Sequence, residues 1–264
     1  ELGDVLVALD QNQKSQEFQL HYDNGSNLHA TFGAYYMKEN VPSYQEAYAD
    51  DLFSFLGAKV PFLRTIDDEQ NTKSYAAFGQ ATYDFTDRIS LNTDVLYNER
   101  NTFQQIAGYP YQSSASNIKT PLSASSAFNP TNVNGVGGKD IEVRRRLWEV
   151  PRTTDSQLKT LRFAPTVSGY FELAGKSFDW DVGALWNRNE SIKTQRGDMS
   201  LIASEQALGA SFINAQGVAQ CGTAANPIAL GDCRPWNPLL PYGVAGQGSL
   251  ADPALQEFLF RKRG

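Results

Sequence analysis

Few residue types able to do chemistry occur in this 264-residue chain, which has two cysteines and two histidines. Cys221 and Cys233, spaced C-x11-C in a Gly/Pro-rich stretch, suit a disulfide formed in an oxidising compartment. A metal site there lacks a nearby His or a further Cys, and redox chemistry lacks a C-x-x-C. His21 and His29 flank Asn24-Gly25 and fit either metal ligation and proton relay or plain polar strand positions. No Ser/His/Asp set can be assembled without assuming proximity. The chain therefore reads as no enzyme, with no cofactor and no metal.

The binding candidates are of another kind. Tyr109, Tyr111, Trp148, Trp236 and Tyr242 lie in irregular stretches, where aromatic rings either stack on sugars and flat chelates or pack the loops together. Arg144, Arg145 and Arg146 form a run in which each guanidinium suits bidentate pairing with a phosphate or carboxylate. The alternative for that run is a solvated strand extension. Asp67-Asp68-Glu69 reads as a solvated charge run, and Arg196-Gly197-Asp198 as a chance tripeptide. With 23 Lys+Arg against 29 Asp+Glu, the net charge of −6 argues against nucleic acid as a partner.

The elements that must carry these residues are mostly strands. Period-2 alternation dominates and helical periodicity is scarce. Phe18, Leu20 and Tyr22 share a face, then Asn24-Gly25 turns the chain, and Leu28, Ala30, Phe32, Ala34 and Tyr36 share another. Tyr75 through Phe85 and Ile89 through Tyr97 make a second pair about Thr86-Asp87. Leu161 through Phe171 and Phe178 through Trp186 make a third about Ala174-Gly175. This predicts six strands in three hairpins, near 15–38, 73–100 and 158–198. Long connections are expected near 39–72, 101–157 and 199–264, with short helices over Asp50–Leu56 and Leu201–Leu208 and a strand extension over Val143–Val150. Connections that long are functional or disordered in compact domains.

Short turns alternating with long loops are how transmembrane β-barrels are built. No apolar run approaches the ~18–20 residues of a spanning helix. Aromatics gather at both ends of the apolar face: Tyr22, Tyr83, Phe85, Phe171, Phe178 and Trp180 near the turns, Tyr36, Tyr75, Tyr97 and Trp186 near the loops. Tyr75 to Tyr83 covers about 26 Å of strand at ~3.3 Å per residue. At a tilt of roughly 40° that is about 20 Å of depth, close to the ~25 Å apolar band of such barrels. The fold class expected is all-β: an antiparallel up-and-down transmembrane β-barrel, of which about six strands form part of the wall, with long external loops. A soluble β-sandwich is the rival, and it would bury the row bearing Phe163, Val167, Val182 and Ala184.

The hairpin Tyr75–Asp87 with Arg88–Tyr97, the preceding Ser15–Leu20 with Ala30–Met37, and Arg144–Val150, Phe178–Ala184 and Cys221–Pro238 resemble segments of TonB-dependent outer-membrane receptors. The resemblance implies energised import of a scarce solute, a ferric chelate or an oligosaccharide, across the bacterial outer membrane. It implies outer-membrane lipid and the TonB complex as partners, the latter reached through a plug domain. Members have a plug and about 22 strands; neither fits this chain, which begins at Glu1 and ends Phe260-Arg-Lys-Arg-Gly264. An internal segment of a longer receptor is expected, because open edges are not tolerated in lipid. A passive porin or adhesin barrel is the alternative.

Overall fold

The computed structural model describes residues 4–49, 62–113, 120–132 and 138–260. In chain order the strands are β1 (Asp4–Leu9), β2 (Asn12–Asp23), β3 (Leu28–Ala49), β4 (Phe62–Thr86), β5 (Ile89–Ile106), β6 (Pro110–Gln112) and β7 (Arg144–Arg146). They continue with β8 (Arg152–Leu173), β9 (Lys176–Gly183), β10 (Trp186–Arg196), helix α1 (Leu201–Leu208), β11 (Ser211–Ile213), β12 (Ala219–Cys221) and helix α2 (Pro253–Leu259). The chain divides into two compact units, Glu1–Gln104 with Thr154–Thr194, and Gln105–Thr153 with Gln195–Gly264.

The first unit is a strongly curled, six-strand antiparallel half-barrel sheet. Its order is β1-β3-β4-β5-β8-β10, with β2 also paired to β3 and β9 to β8. β1 and β2 are one strand in physical terms, because both keep the same offset against β3: Leu9 faces Ser43 and Asn12 faces Asn40. The interruption lies opposite Pro42. Its carbonyl still accepts the Asp10 N–H at 3.2 Å, but proline has no N–H to return. Pro165 in β8 does the same to the opposite edge. The Ala184 N–H donates to Pro165 O at 2.9 Å, and β9 stops there before β10 resumes. Both prolines thus interrupt a ladder to an edge strand, where a lost bond is tolerated.

The turns follow from their residues. Asn24 Oδ1 accepts the N–H of Ser26 at 2.9 Å and of Leu28 at 3.1 Å, closing the first hairpin. In the third, Ala174 and Gly175 take φ of 53° and 73°, the left-handed pair whose twist matches the flanking strands. Within the sheet, Gly33 faces Phe78, whose Cζ would lie 2.1 Å from a Cβ at position 33. The ring lies over the bare backbone, so this position admits no side chain without moving it.

The strands run farther than apolar alternation suggests. β3 and β4 stay in register from Leu28↔Tyr83 to Ala49↔Phe62, so most of the 39–72 connection expected as a loop is paired backbone. Ladder bonds join main-chain groups and do not require apolar side chains, so the pairing outlasts the apolar pattern. The helix expected over Asp50–Leu56 lies outside the described residues.

The second unit is built from the other two long connections, and these also differ from the expected loops. They share a hydrophobic core containing Tyr111, Leu122, Leu147, Leu208, Trp236 and Leu255. The helix expected over Leu201–Leu208 is present, with Ser200 capping it by accepting the Ala203 N–H at 3.3 Å. Its final carbonyls, buried and beyond the reach of the helix's own N–H groups, find loop donors: Ser123 N–H reaches Leu208 O and Trp236 N–H reaches Ala207 O, both at 2.9 Å. Val143–Val150 is not a strand extension. Only Arg144–Arg146 is extended, and it pairs with Pro110–Gln112. Cys221 and Cys233 are joined, Cα to Cα 6.0 Å, tying β12 to the segment before Trp236.

Candidate functional site

Along β3 the burial alternates from Thr31 to Lys38, and the sense is the reverse of a water-soluble sheet. Phe32, Ala34 and Tyr36 are exposed, whereas Thr31, Gly33, Tyr35 and Met37 are half-buried. The register carries that exposed face into the neighbouring strands, where Phe32 faces Leu20 on one side and Gly79 on the other. Phe18 is 66% exposed, Phe163 42% and Val182 67%. No second sheet or helix layer in this unit covers them among the described residues. The large side chains on this face contact each other instead: Tyr36 with Tyr75 at 5.2 Å between ring centroids, and Phe171 stacked on Phe178 at 5.4 Å.

The opposite face is polar and internally hydrogen-bonded. Thr82 Oγ1 donates to Asn92 Oδ1 at 2.6 Å, Asn98 Nδ2 to Ser74 Oγ at 3.1 Å, and Thr160 Oγ1 to Asn189 Oδ1 at 2.8 Å. His21 Nδ1 lies 3.0 Å from Thr31 Oγ1, and His29 Nδ1 3.1 Å from Asp23 Oδ2. The two histidines therefore have separate partners, and no group of three or more ligating side chains is arranged to hold a metal ion among the described residues. Toward the short turns, Asp84, Ser168, Asp179 and Asp181 line a groove of about 820 Å³. There the Arg88 guanidinium sits 5.6 Å from the centre of the Tyr170 ring.

The apolar face changes character abruptly beyond Tyr36 and Tyr75. The next facing pair is Lys38 with Lys73, then Asn40 with Asn71. Asn40 Nδ2 donates to Asn71 Oδ1 at 2.7 Å, and both amides donate to Glu69 Oε1, at 3.0 and 2.9 Å. On neighbouring strands Gln157 Nε2 donates to Glu99 Oε1 at 2.9 Å and to Asn101 Oδ1 at 3.1 Å. These polar positions were invisible as a unit in the sequence, because only the register places them side by side.

The candidate ligand residues of the second unit separate sharply. Trp236 and Tyr111 are 0% and 1% exposed, packed edge to face at 5.1 Å, so neither ring has a face open to a solute. At these two positions the rings fill the core of the unit, the second of the two readings that the sequence left open. Burial pushes the Tyr111 phenol well above its ordinary range, and its hydroxyl donates to Thr120 O. Tyr109 is half-buried against the same core. Arg145 is likewise structural rather than ligand-facing. Its guanidinium pairs with the buried Glu149 carboxylate and donates to Pro238 O at 3.3 Å and to Leu240 O. Arg146 Nη1 donates to Gly108 O at 3.2 Å. Arg144, Trp148 and Tyr242 are exposed. Compared with known proteins, the chain matches no family model and no curated protein sequence.

Proposed function

We propose that this chain is part of the wall of a bacterial outer-membrane β-barrel that imports a scarce solute, a ferric chelate or an oligosaccharide, by TonB-dependent active transport. The observation that carries the reading is the continuous, exposed apolar face of the curled sheet, backed by a hydrogen-bonded polar face. In water such a face would be a large aggregation surface. Against acyl chains it is the expected outer wall of a barrel, with the polar face lining an aqueous interior. Aromatic residues at both ends of the belt suit the two headgroup levels. Energised import, rather than passive flow, comes from the resemblance to TonB-dependent receptors. The plug and the TonB contact belong to that reading and lie outside these residues. Among the candidate ligand residues, exposed Arg144, Trp148 and Tyr242 have the surface needed to meet a solute.

Single cysteines placed in turn from Phe178 to Val182 in the membrane-embedded protein test the wall. A bulky hydrophilic maleimide should label positions 179 and 181 and spare 178, 180 and 182. Uniform labelling would remove the lipid-facing assignment. Uptake of labelled solutes that survives collapse of the proton gradient would leave a passive barrel in place of the active transporter.

A further inference from the structure

Three lysines lie in one row across adjacent strands. Lys14 of β2 faces Lys38 of β3, and Lys38 faces Lys73 of β4. Strand spacing puts successive members about 4.8 Å apart at the backbone. All three are exposed, and among the described residues none is in an ion pair. Like charges directly opposite each other on one face destabilise a sheet. Two of the nearby carboxylates are engaged elsewhere. Glu69 accepts the Asn40 and Asn71 amides, while Glu99 accepts the Tyr97 hydroxyl and the Asn101 and Gln157 amides.

The height of the row is as informative as its charge. It lies one step beyond the Tyr36–Tyr75 pair, on the same face as the apolar belt and on the side away from the short turns. Lys38 and Lys73 also line a shallow groove of about 620 Å³ with Asn71, Asn101, Gln157 and the acidic Asp155, the three amides being engaged with Glu69, Glu99 and one another. We infer that the Lys14–Lys38–Lys73 row binds the phosphate of a phosphorylated lipid headgroup at the outer edge of the apolar belt. This rests on the membrane-wall reading. Ammoniums just above an aromatic girdle meet headgroup phosphates, and one phosphate oxygen set bridging neighbouring lysines turns their mutual repulsion into shared attraction.

The test uses the full-length protein in nanodiscs of phosphatidylcholine carrying traces of either lipid A or its dephosphorylated form, with bound lipid read by native mass spectrometry. Each ammonium near an anionic surface favours binding roughly five-fold, so the wild type should prefer the phosphorylated lipid by on the order of 100-fold. The triple variant Lys14→Gln, Lys38→Gln, Lys73→Gln should lose that preference while the three Lys→Arg changes keep it. Should the Gln variant misfold, the wild type's preference must still collapse between low and high salt. Insertion without discrimination overturns the inference and leaves the membrane wall intact. Failure to insert in any disc overturns both. Displacement of the lipid by millimolar inorganic phosphate would mean that a free anion is the ligand, and would likewise refute it.

Discussion

Val182 offers the sharpest measurement of which solvent meets the apolar face. It is 67% exposed and sits midway between Phe178 and Trp186, four residues from each. The Thr160–Asn189 bond keeps the offset set by Thr166↔Gly183, so β9 and β10 are continuous through the Pro165 interruption. At ~3.3 Å per residue, each aromatic lies about 13 Å away along the strand, or about 10 Å in depth at a tilt of roughly 40°. If this face meets lipid as proposed, Val182→Arg puts a guanidinium near the middle of the hydrocarbon, where it destabilises a barrel by about 2–4 kcal/mol. In water the same exposed position tolerates the change within about 0.5 kcal/mol. Asp181→Arg, one residue away on the polar face, is the internal control and should cost less than about 1 kcal/mol. Urea unfolding of the full protein in lipid vesicles gives both values from the midpoint shift. Equal shifts for the two variants, or a larger one for Asp181→Arg, would refute a lipid-facing Val182.

The other expectations concern packing and charge. Gly33→Ala drives a Cβ into Phe78 and should cost about 1–3 kcal/mol, most of it recovered when Phe78→Leu is added; thermal unfolding of the single and double variants reads the coupling. Arg145→Ala strands the buried Glu149 carboxylate and should destabilise the second unit by about 3–5 kcal/mol, against under about 0.5 for exposed Arg144→Ala, with protease resistance of that unit as the measure. Reduction of Cys221–Cys233, whose loop has a sequence separation of 12, should cost about 3 kcal/mol in the chain-entropy estimate, seen as a lower melting temperature in dithiothreitol. The Tyr111 phenol is raised from its ordinary value of 10.0 by burial, so above that pH the unfolded chain ionises while the folded one stays neutral. Stability of this unit should therefore be complete below about pH 10 and fall as the pH rises past it, a slope that Tyr111→Phe abolishes in denaturant titrations at pH 8 and 11.

Much of the sheet was legible because its information is local. The three hairpins follow from alternation and from turn residues such as Asn24 and Ala174-Gly175, whose side-chain bonds and left-handed dihedrals depend only on their neighbours. The disulfide and the helix at Leu201–Leu208 were legible for the same reason. Strand length was not. Beyond Tyr36 the sequence Lys38-Glu-Asn-Val-Pro-Ser carries no apolar alternation and includes a proline, yet its backbone continues the ladder to Ala49. The second unit was illegible for a different cause. Its core joins Tyr111 to Trp236 and Arg145 to Leu240, contacts made across a long stretch of chain that no local pattern announces. Loop aromatics and arginines look alike in a sequence whether they face solvent or each other, and here Tyr111, Trp236 and Arg145 face inward.

The boundary of the apolar belt shows how little the backbone has to do with it. Between Tyr36–Tyr75 and Lys38–Lys73 the hydrogen-bond ladder runs on without change of register, while the face turns from aromatic to cationic in one step. A sheet that dissolved its whole surface in one medium would have no use for such an edge. Two media do: the aliphatic rows below the tyrosines lower their free energy by leaving water, at roughly 25 cal/mol for each Å² removed, and the lysines and amides above raise theirs if they leave it. The two preferences oppose each other across a single side-chain spacing, so a sheet set in a membrane as proposed would not slide along the membrane normal without penalty. On that logic the proposed lipid-binding row of lysines would fix the height of the sheet as well as hold a phosphate.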